Sequence, residues 1–326
     1  MERRKDLDFA KGIGIILMVL GHCYSAGNGE LIRTWFYSFH MPLFFIIPGI
    51  LMRERNTVPS LFPFLRKRVY SLLIPYFFWG IMAALFLTVL GRKPLNWLLV
   101  LIKCVLSFEG LSAMWFLPCL FLAECLFLCF LKATNRNRIL GYFIAATFAL
   151  VGFSAPKTNI YITIILRSFT GASFLFLGWF LSEFFSRPSK VRIWIIVAAI
   201  HAFLSMCNDQ ISVLDREYGN FVLFYANALL GSWLVIQAYH LLAALPLQKA
   251  IHTFIWFGQN SLIMVCTSLY AIEFLRLADS KLFSGFLPRL GNFEGLALCA
   301  LSVLLESMAI FICNKFLWFT FGKKKK

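Results

Sequence analysis

Long apolar runs, repeated from one end of the chain to the other, constrain its fold more than any other feature. A helix crossing the hydrocarbon core of a bilayer needs about 20 apolar residues. Such runs occupy approximately 9–26, 33–52, 69–90, 113–131, 139–155, 160–184, 193–207, 220–245, 251–275 and 295–320. In lipid every backbone N–H and C=O must be bonded within the protein, so runs of this kind become helices. The expected fold is all-α: a polytopic bundle of about ten transmembrane helices, forming a single integral-membrane domain over 1–326 with no appended soluble domain. A further run, 95–108, is short, carries Lys103, and reads as an interfacial or re-entrant piece. Hydrophobic residues make up 60% of the chain and charged ones 14%. Soluble domains sit nearer half and a quarter, so a soluble enzyme, a disordered chain and a secreted disulfide scaffold are all excluded.

The formal net charge is +16. In a soluble protein that would suggest nucleic acid, but here the basic residues cluster between apolar runs, and no basic-aromatic nucleic-acid motif accompanies them. Cytoplasmic loops of membrane proteins are rich in Lys and Arg. With the N-terminus inside, about 20 basic residues fall on the cytoplasmic side and about nine outside, which predicts both termini in the cytoplasm. Asp6, Asp8 and Lys11 interrupt the approach to the first run, and His22 lies where a cleavage region should be bland, so a removable signal peptide is not expected. The nine Cys form no CxxC pair and no Cys/His set with zinc spacing; they read as small core residues, and no metal is expected.

Ionisable residues inside spans cost about 2.5–3.5 kcal/mol at mid-depth, so each needs a reason. Lys11 and His22 are eleven residues apart, about 16 Å along one helix. That puts Lys11 near the surface and His22 past the middle. His40, Glu124 and Arg167 fall at similar depth on other spans, which predicts an interior polar cavity. Glu124 and Arg167 also read as a structural ion pair, since opposite charges at one depth offset burial. Glu306, in the last run, has no obvious partner. His22 is the only His of the first span, and imidazole can take and return a proton near neutral pH. An interhelical hydrogen bond is the plainer reading of a buried His, and it applies to His40, His201, His240 and His252 as well. Arg66-Lys67-Arg68, before the third span, is either a topology anchor or a phosphate clamp. Trp115 is either part of an interface belt or a stacking surface. Glycines in Lys11-Gly-Ile-Gly14 read as close helix packing rather than a nucleotide loop, because no strand precedes them.

Asp8-Phe-Ala-Lys-Gly-Ile-Gly-Ile-Ile-Leu-Met-Val-Leu-Gly-His22, followed by Trp35-Phe-Tyr-Ser-Phe-His-Met-Pro-Leu-Phe-Phe45, resembles the opening of the membrane-bound acyltransferase 3 family. Within it, the sequence looks most like the fucose-4-O-acetylase-like sugar acetyltransferases. Leu72-Leu-Ile-Pro-Tyr76, Met114-Trp-Phe-Leu-Pro118 and Phe257-Gly-Gln-Asn-Ser-Leu262 resemble later blocks in the expected order. The family pattern sets a basic residue, ten intervening residues and then a His in the first helix, matched by Lys11 and His22. Lys in place of the usual Arg keeps the charge and loses the fork. Of the family's paired-Arg motif Arg68 matches the first member, while the second falls on Ser71. A late His of the family is absent here, where Thr267-Ser-Leu-Tyr270 stands.

The resemblance implies an integral-membrane O-acyltransferase of the bacterial inner membrane. It would move an acetyl group from cytoplasmic acetyl-CoA to a sugar hydroxyl of a cell-surface or exported glycan. Its partners would then be membrane lipid and a sugar acceptor, with no nucleic acid. Arg66, Lys67 and Arg68 would bind the phosphates of acetyl-CoA. His22 would act as general base or carry the acetyl briefly, with Lys11 in the same motif. His40 or Arg167 would stabilise the oxyanion, and Trp115, Arg167 and Glu124 would meet the acceptor. The rival class is a polytopic transporter or flippase of a glycan-related small molecule, which would also have interior charges and a polar cavity.

Overall fold

The computed structural model describes residues 3–24, 29–55, 58–156, 159–283 and 285–323. Among them the chain is helical, and its nearest approach to a sheet is an isolated bridge between Ser212 and Glu217. Seven helical stretches are long and apolar enough to cross a membrane: Glu30–Arg53, Leu61–Val89, Ser112–Ala133, Ile160–Phe180, Phe221–Leu242, Ser261–Leu282 and Glu294–Lys315. Leu95–Leu106, Arg138–Ser154 and Val191–Met206 are apolar but shorter. The first helix, α1 (Lys5–Cys23), carries Lys5, Asp6, Asp8 and Lys11 in its first two turns. The protein is thus an all-α, integral-membrane chain. Residues 25–26 of the first expected span and Lys157 lie outside the described residues, as does the end of the Lys323–Lys326 run.

The chain forms two compact units. One comprises Met1–Leu17, Glu30–Leu61 and Leu122–Ser261. Its elements are the start of α1, then α2 (Glu30–Tyr37), α3 (His40–Arg53), most of α7 (Phe116–Ala133), α8 (Arg138–Ser154), α9 (Ile160–Phe180), α10 (Ser182–Ser186), α11 (Val191–Met206), α12 (Phe221–Leu242) and α13 (Gln248–Gln259). The run 33–52 is not one straight helix: it turns at Ser38 and Phe39 between α2 and α3. The run 251–275 is likewise divided, because α13 ends at Asn260, whose side chain donates to the Trp256 carbonyl at 2.9 Å. Side-chain oxygens of Asn137, Asn159 and Asn220 accept from the first free N–H groups of α8, α9 and α12, and so fix where those helices begin.

Two helix crossings in this unit depend on missing side chains. A Cβ on Gly12 would strike the Phe254 carbonyl, and one on Gly258 the Asp8 carbonyl, so α1 and α13 touch backbone to backbone. Gly49 and Gly178 do the same for α3 and α9. Without a hydrophobic drive between helices in lipid, such close approach is the main source of packing energy.

The other unit comprises Met18–Gly29, Phe62–Phe121 and Leu262–Lys326. It holds the end of α1, α4 (Leu61–Arg68), α5 (Ile74–Val89), α6 (Leu98–Leu106), α14 (Ser261–Leu282) and α15 (Glu294–Lys315). A π turn, Val69–Leu73, joins α4 to α5. Ile74 separates it from Pro75, which has no N–H to continue the α-helical ladder. α5 and α6 pack through Ala84, Leu87 and Leu101, and the Tyr76 hydroxyl donates to the Val105 carbonyl at 2.7 Å.

Candidate active site

Sequence marks His22 first, and the structure places it in the second of these units, in the last turn of α1. The last four carbonyls of a helix have no partner inside it. Here Arg276 of α14 supplies one: its Nη2 donates to the His22 carbonyl at 3.2 Å and the Cys23 carbonyl at 3.5 Å. A cation at this end also suits the helix dipole. Arg276 is in turn 3.5 Å from Glu273, and Glu273 accepts from Arg92 at 2.6 Å. Beside His22, Cys23 Sγ lies 4.0 Å from Ser302 Oγ on α15. The histidine is therefore carried on a helix end held by a polar chain through α14 and by a contact with α15.

Arg66, Lys67 and Arg68 form the last turn of α4. Arg66 and Lys67 are exposed, while Arg68 is half-buried with its guanidinium 5.3 Å from the Phe64 ring. Trp115 ends a short 3₁₀ turn, is only 6% exposed, and packs edge-on to Phe116. All four belong to the same unit as His22.

The remaining candidates belong to the first unit. Lys11 pairs with Asp8 at 2.6 Å, and Asp8 also meets Arg3 at 2.5 Å and Gln259 at 3.5 Å. Burial by itself would raise the Asp8 carboxyl, but Lys11 and Arg3 outweigh it and hold it below its usual value. Next to it, Arg4 gathers Asp6 at 2.5 Å, Glu54 and Ser186, and His240 Nε2 stands 3.8 Å from Asp6. Asp6 and Asp8 are each 4% exposed, so these pairs are shielded from water. The sequence shows Asp6 and Asp8 as charges that interrupt the approach to the first run; the structure adds that these acids organise the basic residues around them.

His40 opens α3 and is 4% exposed. Its Nδ1 is 2.9 Å from the Phe36 carbonyl, which can only accept, so Nδ1 carries a proton and donates. His201, wholly buried, has Nε2 3.2 Å from Ser38 Oγ. That hydroxyl gives its own proton to the Trp35 carbonyl at 2.6 Å, so His201 Nε2 donates. Glu124 and Arg167 are buried at 3% and 6% in α7 and α9.

The acyltransferase domain model matches residues 4–312, nearly the whole chain. The chain belongs to this acyltransferase family. A nodulation protein, NolL of Mesorhizobium japonicum, is 31% identical over 193 residues, covering 54% of this chain and 49% of that protein. NolL of Sinorhizobium fredii is 40% identical over 80 residues, 22% of each chain. The chain thus aligns with about half the length, or less, of these relatives. No solved structure matches it. The stretch that carries Lys11 and His22 falls inside the matched region.

Proposed function

We propose that the protein is a membrane O-acyltransferase that moves an acetyl group from cytoplasmic acetyl-CoA to a sugar hydroxyl of a cell-surface or exported glycan, in a bacterial inner membrane. The observation that carries this reading is the family match over 4–312, with His22 on a braced helix end inside it. His22 takes the proton of the acceptor hydroxyl as its oxygen attacks the thioester carbonyl. The carbon–sulfur bond then breaks, and the imidazolium returns the proton to the departing sulfur, giving ester and free CoA. Arg66, Lys67 and Arg68 bind the phosphates of the donor: three cations in one helical turn, two of them exposed.

The test uses purified protein in liposomes with labelled acetyl-CoA and a panel of sugars. Wild type should release CoA and label a sugar. His22→Ala should lower the turnover by about 10²–10⁴-fold, the usual worth of a placed base. Wild-type rates in that variant would remove His22 from the chemistry. Substrate movement without CoA release would instead identify a transporter.

A further inference from the structure

Glu306 of the second unit takes no part in this chemistry. Glu306 lies on α15, is wholly buried, and neither carboxyl oxygen has a hydrogen-bond partner among the described residues. Buried acids are rarely left so, because an unbonded polar group away from water costs free energy that folding must supply elsewhere. Glu306 does not face packed protein alone. It lines a cavity of about 330 Å³ walled by Trp79, Phe86, Tyr270, Phe274, Thr267, Cys313 and aliphatic side chains, the Thr267 hydroxyl giving its proton to the Ile263 carbonyl at 2.9 Å. Trp79 is the second polar orphan of that cavity: its indole N–H is buried and also has no partner among the described residues. Tyr270, in contrast, is satisfied, its hydroxyl donating to the Trp79 carbonyl at 2.7 Å.

The cavity therefore offers mostly apolar walls and, as its unpartnered polar groups among the described residues, one indole donor and one carboxyl. Mostly apolar pockets with a few convergent polar groups are the usual form of a small-molecule site. The group that complements this pair is a secondary amide. Its C=O accepts from Trp79, and its N–H donates to a Glu306 carboxylate. A protonated Glu306 is served equally, by donating to the amide oxygen. A simple acyl chain satisfies neither orphan.

The position along α15 bears on which amide. Ser302, in contact with Cys23 beside His22, is four residues before Glu306, hence on the same helix face one turn away. The cavity is thus one helical turn from the braced end that carries His22. We propose that it is the seat of an amide of the pantetheine arm of the acyl donor. This rests on the reading of acyl-CoA as donor, and it assigns Glu306 and Trp79 to donor binding.

The experiment measures equilibrium binding of labelled coenzyme A, and separately of adenosine 3′,5′-bisphosphate, to the full chain in phosphatidylcholine nanodiscs. The bisphosphate has the donor's nucleotide but no arm. Glu306→Leu and Trp79→Phe should each weaken coenzyme A about tenfold, the scale of one lost bond to a buried polar group. Glu306→Gln keeps a donor and an acceptor and should stay within about threefold of wild type. None of the three should change bisphosphate binding. Trp79→Phe keeps the ring and guards against misfolding of the Glu306 variants. Equal coenzyme A affinity in wild type, Glu306→Leu and Trp79→Phe would overturn the assignment and leave the donor reading standing. Parallel weakening of both ligands would also overturn it, since the arm would then not be what the cavity holds. Absence of coenzyme A binding to wild type would instead sink the donor reading itself.

Discussion

Arg216 adopts a positive φ of 56°, a costly backbone for a side chain of its size, and it is nearly buried. Its guanidinium explains why it stays. It donates to the carbonyls of Gly152, Ala155 and Pro156 at 3.0, 2.6 and 3.3 Å, closing the C-terminal end of α8. Arg216→Ala should lower the melting temperature of the detergent-solubilised protein, by a loss of about 2 kcal/mol for bonds to a charged group. Arg216→Gly relieves the backbone and still loses the bonds, so it should melt early too. A Gly variant as stable as wild type would mean that strain, not bonding, dominates. Asp8 makes a prediction in pH. Its carboxyl is held below its usual value in the folded protein. A group lowered on folding adds stability above the unfolded carboxylate range, and that stability is lost as pH falls through the folded value. The melting temperature should therefore drop on acidification below about pH 4. Asp8→Asn should be less stable at neutral pH and show a shallower acid fall; an unchanged acid profile would show that other carboxylates carry it.

At the scale of helices, the glycine crossings make the sharpest claim. Gly258→Leu must push α13 off α1, since even a Cβ there meets the Asp8 carbonyl. The expected result is a marked loss of thermal stability, whereas Gly285→Ala, with nothing within 4 Å and outside any crossing, should cost only its strained positive φ. Equal stability for Gly258→Leu and wild type would refute the close contact. The same scale shows what the sequence made legible. The runs 113–131 and 220–245 correspond to Ser112–Ala133 and Phe221–Leu242 because long apolar stretches leave the backbone one way to bond itself. The breaks at Ser38 and Asn260 were not foreseen. Hydropathy counts apolar atoms along the chain and does not register where a side-chain amide, such as that of Asn260, takes over a helix carbonyl. Among the residues of the candidate site, His22 stands out in the sequence by its motif, and Arg276 does not, because the groups it binds are main-chain carbonyls present at every position.

For the whole molecule, the charge count predicts the loop 207–219 on the outer side of the membrane. Cys207, at the start of that loop, is exposed. A variant keeping Cys207 as its only thiol should react with a membrane-impermeant maleimide in intact spheroplasts. Labelling only after permeabilisation would invert the expected orientation. The relatives that align cover stretches of this chain rather than its whole length, so such topology measurements on the chain itself carry particular weight.

Arg276 grips the oxygens of residues 22 and 23, atoms that every amino acid supplies in the same place. Mutational drift at position 22 would therefore leave this clasp intact. What the side chain at position 22 does is uncoupled, at this contact, from how the helix end is held. A His22→Ala variant should therefore accumulate in the membrane as wild type does, so that on the proposed mechanism any loss of turnover in it reads the side chain and not the fold.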